Sequence, residues 1–246
     1  MSQSPHDAPQ LEVLDESRFQ TVLCVAAHPD DLEYGTAAAV DKWVKAGKTV
    51  TYVLATSGEA GIDTMPPAEA GPVREAEERA GAAVVGVDVV TFLGFRDGVV
   101  EYTLDLRRAL AREIRIRRPD LLVTVTHAEQ FAGGGINQAD HRNVGLAAID
   151  ARAAAGNRWI FPELLDDGHL PWQVPQIFVS ADPNGTHWLD VSGHLDAAVA
   201  SLSCHEAYYA ALPDDYPKPT ELLDMILGGA GRSIGVGHAV VGRLLE

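Results

Sequence analysis

The chain has 246 residues, 46% of them hydrophobic, which is enough to bury one sizeable core. Its formal charge of −16 excludes the basic face of a nucleic-acid binder and argues against an anionic membrane surface as a partner. No apolar run reaches the roughly 18–20 residues of a membrane span, and Cys24 and Cys204 are too few for a disulfide framework.

Residues 1–20 lack the basic start and apolar stretch of a signal peptide and read as a polar, mobile tail. A single domain is expected over 21–246, and a reducing cytoplasm fits the cysteine usage. The run TVLCVAA at 21–27 suits a strand buried on both faces, with Cys24 as a small core residue. A helix follows over 36–46, stopped by Gly47, and a second strand over 49–55. Pro72 opens a charged helical stretch that Gly86 ends. A third strand is expected over 87–93, a helix over 104–117 before Pro119, and a fourth strand over 120–126. A helix over 141–155, a fifth strand over 176–180 and a last long helix over 191–212 complete the reading.

Strands alternating with helices of this length predict an α/β fold, a Rossmann-like three-layer arrangement with a mostly parallel central sheet. Ligands in such folds bind beyond the carboxyl ends of the strands, where strand order reverses. The loops after Ala27, Ala55, Leu93 and Thr126 therefore define the expected site, and they hold most of the unusual polar residues.

The first of these loops reads His28-Pro29-Asp30-Asp31. Either aspartate alone suits a helix cap, but a histidine with two carboxylates also suits a cation. A catalytic zinc takes three protein ligands and keeps one open position. His141 is the candidate third ligand, with Asp140 beside it to orient its second ring nitrogen. A 2-His-1-carboxylate set accepts zinc and also Fe2+, so the donor types leave the metal open.

AHPDD after an apolar strand and a downstream DHxxVG resemble the zinc-dependent de-N-acetylases of the PIG-L/LmbE family. TSGEAG at 56–61, REAEERAGAAVVGV at 74–87 and FLGFRDG at 92–98 resemble family blocks in the same order, and a late helix carrying His205 resembles the family's closing helix. The resemblance implies His28, Asp31 and His141 as metal ligands and Asp30 as the general base toward water. It places Arg74 and Asp97 toward the substrate, with Arg96 and Glu33 as further candidates. Local readings also exist: Arg74 paired with Glu77 or Glu78, Asp97 as a turn residue before Gly98, and Glu59 in a turn or supporting role. The resemblance implies hydrolysis of an N-acyl, most often N-acetyl, amide on a small-molecule amino sugar or its conjugate. The alternatives are an amidase of a thiol conjugate, or a metal-containing ligand-binding protein with little hydrolytic activity. Relatives often self-associate, so a homo-oligomer is open.

This chain departs from the family pattern around its third ligand. Ile136 stands where relatives in thiol pathways carry tyrosine, and Gln138 where many carry histidine. A glutamine amide donates a hydrogen bond to an oxyanion but delivers no proton at neutral pH. Gln138 is therefore expected to stabilise while Asp30 moves all protons. The other options are that His127 substitutes, or that the site binds without turning over. Asp140 joins Asp30 and Gln138 in the expected catalytic set. The glycine-rich stretch 228–237 lacks the strand-and-helix context of a nucleotide loop and reads as a flexible loop at a site rim or subunit contact.

Overall fold

The computed structural model describes residues 11–246. The strands are β1 (Glu12–Val13), β2 (Thr21–Ala26), β3 (Thr49–Leu54), β4 (Val90–Phe92), β5 (Leu121–Val125), β6 (Gln176–Ser180), β7 (His187–Asp190) and β8 (Ala239–Leu245). They form one sheet in the order β1-β7-β8-β6-β5-β2-β3-β4. Pairing is parallel from β6 through β5, β2 and β3 to β4, and between β1 and β7. Only β8 runs antiparallel to its neighbours β6 and β7 among the described residues. The helices are α1 (Asp31–Gly35), α2 (Ala37–Lys45), α3 (Pro67–Val84), α4 (Leu104–Arg117), α5 (Ala139–Gly156), α6 (Glu163–Asp166), α7 (Leu195–Leu202), α8 (Glu206–Ala210), α9 (Pro219–Leu223) and α10 (Gly229–Ile234).

The expected mostly parallel sheet between helical layers is present. β2 shows why its sequence is apolar throughout: alternate residues serve opposite cores. Val22, Cys24 and Ala26 pack with Val40 and Trp43 of α2 and with Ala198 and Leu202 of α7. Leu23 and Val25 pack with Leu106, Leu110 and Ile114 of α4 and with Ala147 and Ala151 of α5. Burying each such leucine or isoleucine contributes about 1.5–3 kcal/mol. Strand order reverses at β2, which has β3 on one side and β5 on the other.

Several expectations are corrected. Of the tail expected over 1–20, residues 1–10 lie outside the described residues, but the remainder is built into the domain. Glu12–Val13 pairs with β7, and Phe19 is buried edge-on against Trp43 at 5.4 Å. The helix expected to start at Pro72 starts at Pro67, whose missing N–H costs nothing at that position, and Pro72 is carried inside it. β4 is shorter than the expected 87–93.

The helix expected over 191–212 breaks in two, because His205 has φ −85° and ψ 54°. Its approach is loosened by Ser203 Oγ and Cys204 Sγ, which bond back to the carbonyls of Val199 and Ala200. The expected flexible loop 228–237 is instead largely α10, entered through a π turn at Asp224–Gly228. β7 and β8, which lie between β1 and β6 in the sheet, are not anticipated in the sequence reading.

Candidate metal centre and active site

The loop after β2 enters α1 through Asp30, whose backbone is left-handed (φ 90°, ψ −24°). A non-glycine residue there carries strain of order 1–3 kcal/mol and persists only where its surroundings hold it. The turn lets Asp31 fold back, so that its Oδ2 accepts from the backbone N–H groups of Ala27 (3.0 Å) and His28 (2.9 Å). Its Oδ1 lies 2.9 Å from His141 Nε2.

The tautomers of both histidines follow from their second partners. His28 Nε2 faces two carboxylates, Asp97 Oδ1 at 2.9 Å and Asp140 Oδ2 at 3.2 Å, so it carries the proton. His28 Nδ1 is left facing His141 Nε2 at 3.1 Å and Asp31 Oδ2 at 3.6 Å. His141 Nδ1 lies 3.0 Å from Asn137 Oδ1. That oxygen is identified by the other end of the amide, which donates to the carbonyls of Thr126 (2.8 Å) and Ala128 (2.9 Å). His141 Nε2 is therefore bare as well. Two imidazole lone pairs and a carboxylate converge, and two lone pairs 3.1 Å apart repel unless a cation or a proton lies between them. The donor set fits a divalent metal.

The electrostatics agree. Burial opposes charge on His28, yet the carboxylates of Asp140, Asp31 and Asp97 outweigh it and push its pKa up to about 12. Burial likewise opposes charge on Asp31, but His141 and His28 hold its carboxyl well below the usual range. A field that favours protons this strongly also attracts a metal, which competes with them for the same nitrogens.

Close packing places the third ligand. Gly145, one turn after His141 on α5, lies so near β5 that an added Cβ would stand 2.5 Å from the carbonyl of Val125. Only glycine lets α5 approach this closely.

Asp30 is 4% exposed, and burial raises its pKa, with Arg74 opposing the shift and Asp31 adding to it. Its Oδ1 lies 3.3 Å from Arg74, and its buried Oδ2 has no hydrogen-bond partner among the described residues. Its backbone N–H donates to Glu78 Oε2 at 3.0 Å. Arg74 Nη2 also donates to the carbonyl of Pro29, and its guanidinium lies 3.9 Å over the ring of Tyr208.

The structure brings His28, Asp31 and His141 together with Asp30 beside them, and corrects the settings of others. Asp140, expected to orient His141 and to join the catalytic set, faces His28 instead. It is 2% exposed and accepts from the N–H groups of Gly98 and Val100, because it lies on the β4–α4 side of the helix start. Asp97 and Arg74, expected to face the substrate, are turned inward, Asp97 to His28 and Arg74 to the Pro29–Asp30 segment. Arg96 is exposed on the loop after β4, and Glu33 is on the buried side of α1. Gln138 is the exposed N-cap residue of α5, near Ile136, which is 84% exposed. His127 is half-buried, its buried Nδ1 unpartnered among the described residues. Glu59 accepts from the N–H of Asp97 at 2.9 Å.

Sequence reading missed Asn137 and Glu78 as parts of the site. Asn137 sits one turn before His141, a spacing that hints at contact; Glu78 carries no signal of its own.

Comparison with known proteins shows which family the chain resembles. The family model for PIG-L, GlcNAc-PI de-N-acetylase, matches residues 23–152. A diacetylchitobiose deacetylase of Thermococcus kodakarensis is 28% identical over 79% of this chain and 71% of its own length. A 1D-myo-inositol 2-acetamido-2-deoxy-alpha-D-glucopyranoside deacetylase of Kineococcus radiotolerans is 30% identical over 73% of this chain, which spans only 56% of that relative. The N,N'-diacetylchitobiose deacetylase structure from Pyrococcus horikoshii superposes with a TM-score of 0.84 at 24% identity, covering 93% of this chain and 85% of that one.

Proposed function

The chain belongs to the PIG-L family, and on that premise we propose that it is a zinc-dependent hydrolase of an N-acetyl amide on a small amino sugar or its conjugate. The observation that carries the reading is the convergence of His28 Nδ1, His141 Nε2 and Asp31 on one point, with a buried, partly unpartnered Asp30 next in the chain.

His28, Asp31 and His141 hold the metal. Zinc bound there supplies Lewis acidity, which polarises the acyl carbonyl and acidifies water. Asp30 takes a proton from the attacking water as the new C–O bond forms. The raised carboxyl then returns that proton to the nitrogen as the C–N bond breaks, leaving an acid and a free amine. Gln138, exposed at the start of α5, donates an amide hydrogen bond to the developing oxyanion. Asp97 and Asp140 keep His28 in the productive tautomer, and Arg96 lies outside this set, free to meet substrate.

The test is amine release by zinc-loaded protein from N-acetylglucosamine, N,N'-diacetylchitobiose and a cysteine-amide thiol conjugate. Release from an acetylated sugar supports the reading, and release from the thiol conjugate alone moves it to that substrate class. Tight binding without release favours a ligand-binding protein, a second reading motivated by the exposed Ile136 and Gln138, the two positions at which the sequence departs from the family pattern it resembles. Gln138→His then separates a slowed hydrolase, which gains activity, from a binder, which does not.

A further inference from the structure

The proton-moving residue stands in a strained backbone, and the structure shows what grips it. Arg74 donates to the carbonyl of Pro29, and Glu78 accepts from the N–H of Asp30 at 3.0 Å. These groups are the two ends of one peptide unit, and the two side chains are one turn apart on α3. The left-handed turn at Asp30 is thus held from both sides by a single helix face.

Glu78 is held in turn. It is fully buried with Glu33 and His205. His205 Nε2 lies 3.8 Å from Glu78 Oε2 and 3.9 Å from Glu33 Oε2, too far for hydrogen bonds but in packing contact with both carboxyl groups. Burial, with Glu33 beside it, pushes the Glu78 carboxyl well above its usual range, and its Oε2 accepts from the Asp30 N–H in either protonation state. Glu33 Oε1 accepts from Ser201 Oγ at 3.1 Å. The break between α7 and α8 is what lets the imidazole reach this buried place. One network therefore joins α1, α3 and the α7–α8 joint to one peptide.

We propose that Glu78 is a positioning residue for the reaction, fixing the Pro29–Asp30 peptide so that the Asp30 carboxyl meets the attacking water, with His205 holding Glu78 against Glu33. The proposal rests on the hydrolase reading for its kinetic consequence, but its geometry is measurable without turnover.

The experiment compares Glu78→Met, which keeps the length and loses the acceptor, with Glu78→Gln, which keeps an acceptor. Three readouts are taken on the full chain: kcat and KM on N,N'-diacetylchitobiose, bound zinc, and the amide proton resonance of Asp30. Glu78→Met is expected to lower kcat about a hundredfold, the size of effect that follows a misplaced reacting group, with KM and zinc content little changed. Its Asp30 amide proton moves upfield as the bond to the Glu78 side chain is lost. Glu78→Gln recovers most of kcat and most of the shift. Wild-type kcat, or an unmoved Asp30 resonance, in folded Glu78→Met overturns the proposal. So does a second zinc per chain that disappears in that variant, since Glu33, Glu78 and His205 would then be a cation site. If the wild type releases no amine while the resonance still moves, the hydrolase reading fails and the grip on the peptide stands.

Discussion

Asn137 Oδ1 lies 3.0 Å from His141 Nδ1, and both protons of the same amide are committed to the carbonyls of Thr126 and Ala128. The amide cannot turn without losing both of those bonds, so it fixes the tautomer of His141 and aims the bare Nε2 at Asp31. Asn137→Ala is expected to weaken zinc binding about 10–100-fold, as loss of a ligand's supporting partner does. Competition with a chromophoric chelator measures it, and unchanged affinity would show that the ring is held by something else.

His28 has two such partners, which predicts non-additivity. Asp97→Asn and Asp140→Asn each leave one carboxylate on Nε2, whereas the double variant leaves none. The double variant is expected to lose more zinc affinity than the sum of the single losses, a coupling of about 0.5–3 kcal/mol. Additive losses would mean that the two aspartates act independently.

Gly145→Ala tests the packing that delivers His141. The added carbon meets the carbonyl of Val125 at 2.5 Å, backbone against backbone, so α5 or β5 must shift. A stability loss of about 1–3 kcal/mol is expected in urea denaturation, together with weaker zinc binding. A stability loss with unchanged zinc affinity would separate the packing from ligand placement.

The pH dependence has a definite sign in chelator-stripped protein. Against the opposing effect of burial, Asp140, Asp31 and Asp97 push His28 up to about 12 in the folded state, while an unfolded histidine titrates at about 6.5. A folded pKa above the unfolded one contributes stability that is complete below about pH 6.5 and is lost as pH rises toward 12. The stripped wild type is therefore expected to lose stability between about pH 6.5 and pH 9, more steeply than His28→Gln. In zinc-loaded protein the metal replaces the protons, so affinity, and with it stability, rises with pH over the same range. Equal slopes for stripped wild type and His28→Gln would remove His28 as the source.

The parts of the site legible in sequence are those carried by a local pattern. His28 and Asp31 follow an apolar strand whose burial on both faces dictates where it ends, and His141 opens the helix after the strand that pairs with it. The residues that support them were illegible or misassigned, because their roles depend on which loops meet. Asp140 neighbours His141 in the chain but serves His28, since the helix start presents successive side chains in different directions. Arg74 reads as a substrate contact, with an ion pair to Glu77 or Glu78 as the local alternative, and only the turn at Asp30 shows that Arg74 and Glu78 hold the same peptide. His205 reads as part of a continuous helix because apolar periodicity runs through it, while the buried glutamates it packs against come from α1 and α3.

In the proposed mechanism His28, Asp31 and His141 bind the metal while Asp30 moves the proton. Zinc stoichiometry and amine release from N,N'-diacetylchitobiose, measured on the same samples of wild type, His28→Ala and Asp30→Asn, test it most directly. One tightly bound zinc is expected in wild type and Asp30→Asn, little in His28→Ala, and turnover in the wild type alone. Undiminished zinc in His28→Ala, or wild-type turnover in Asp30→Asn, would contradict it.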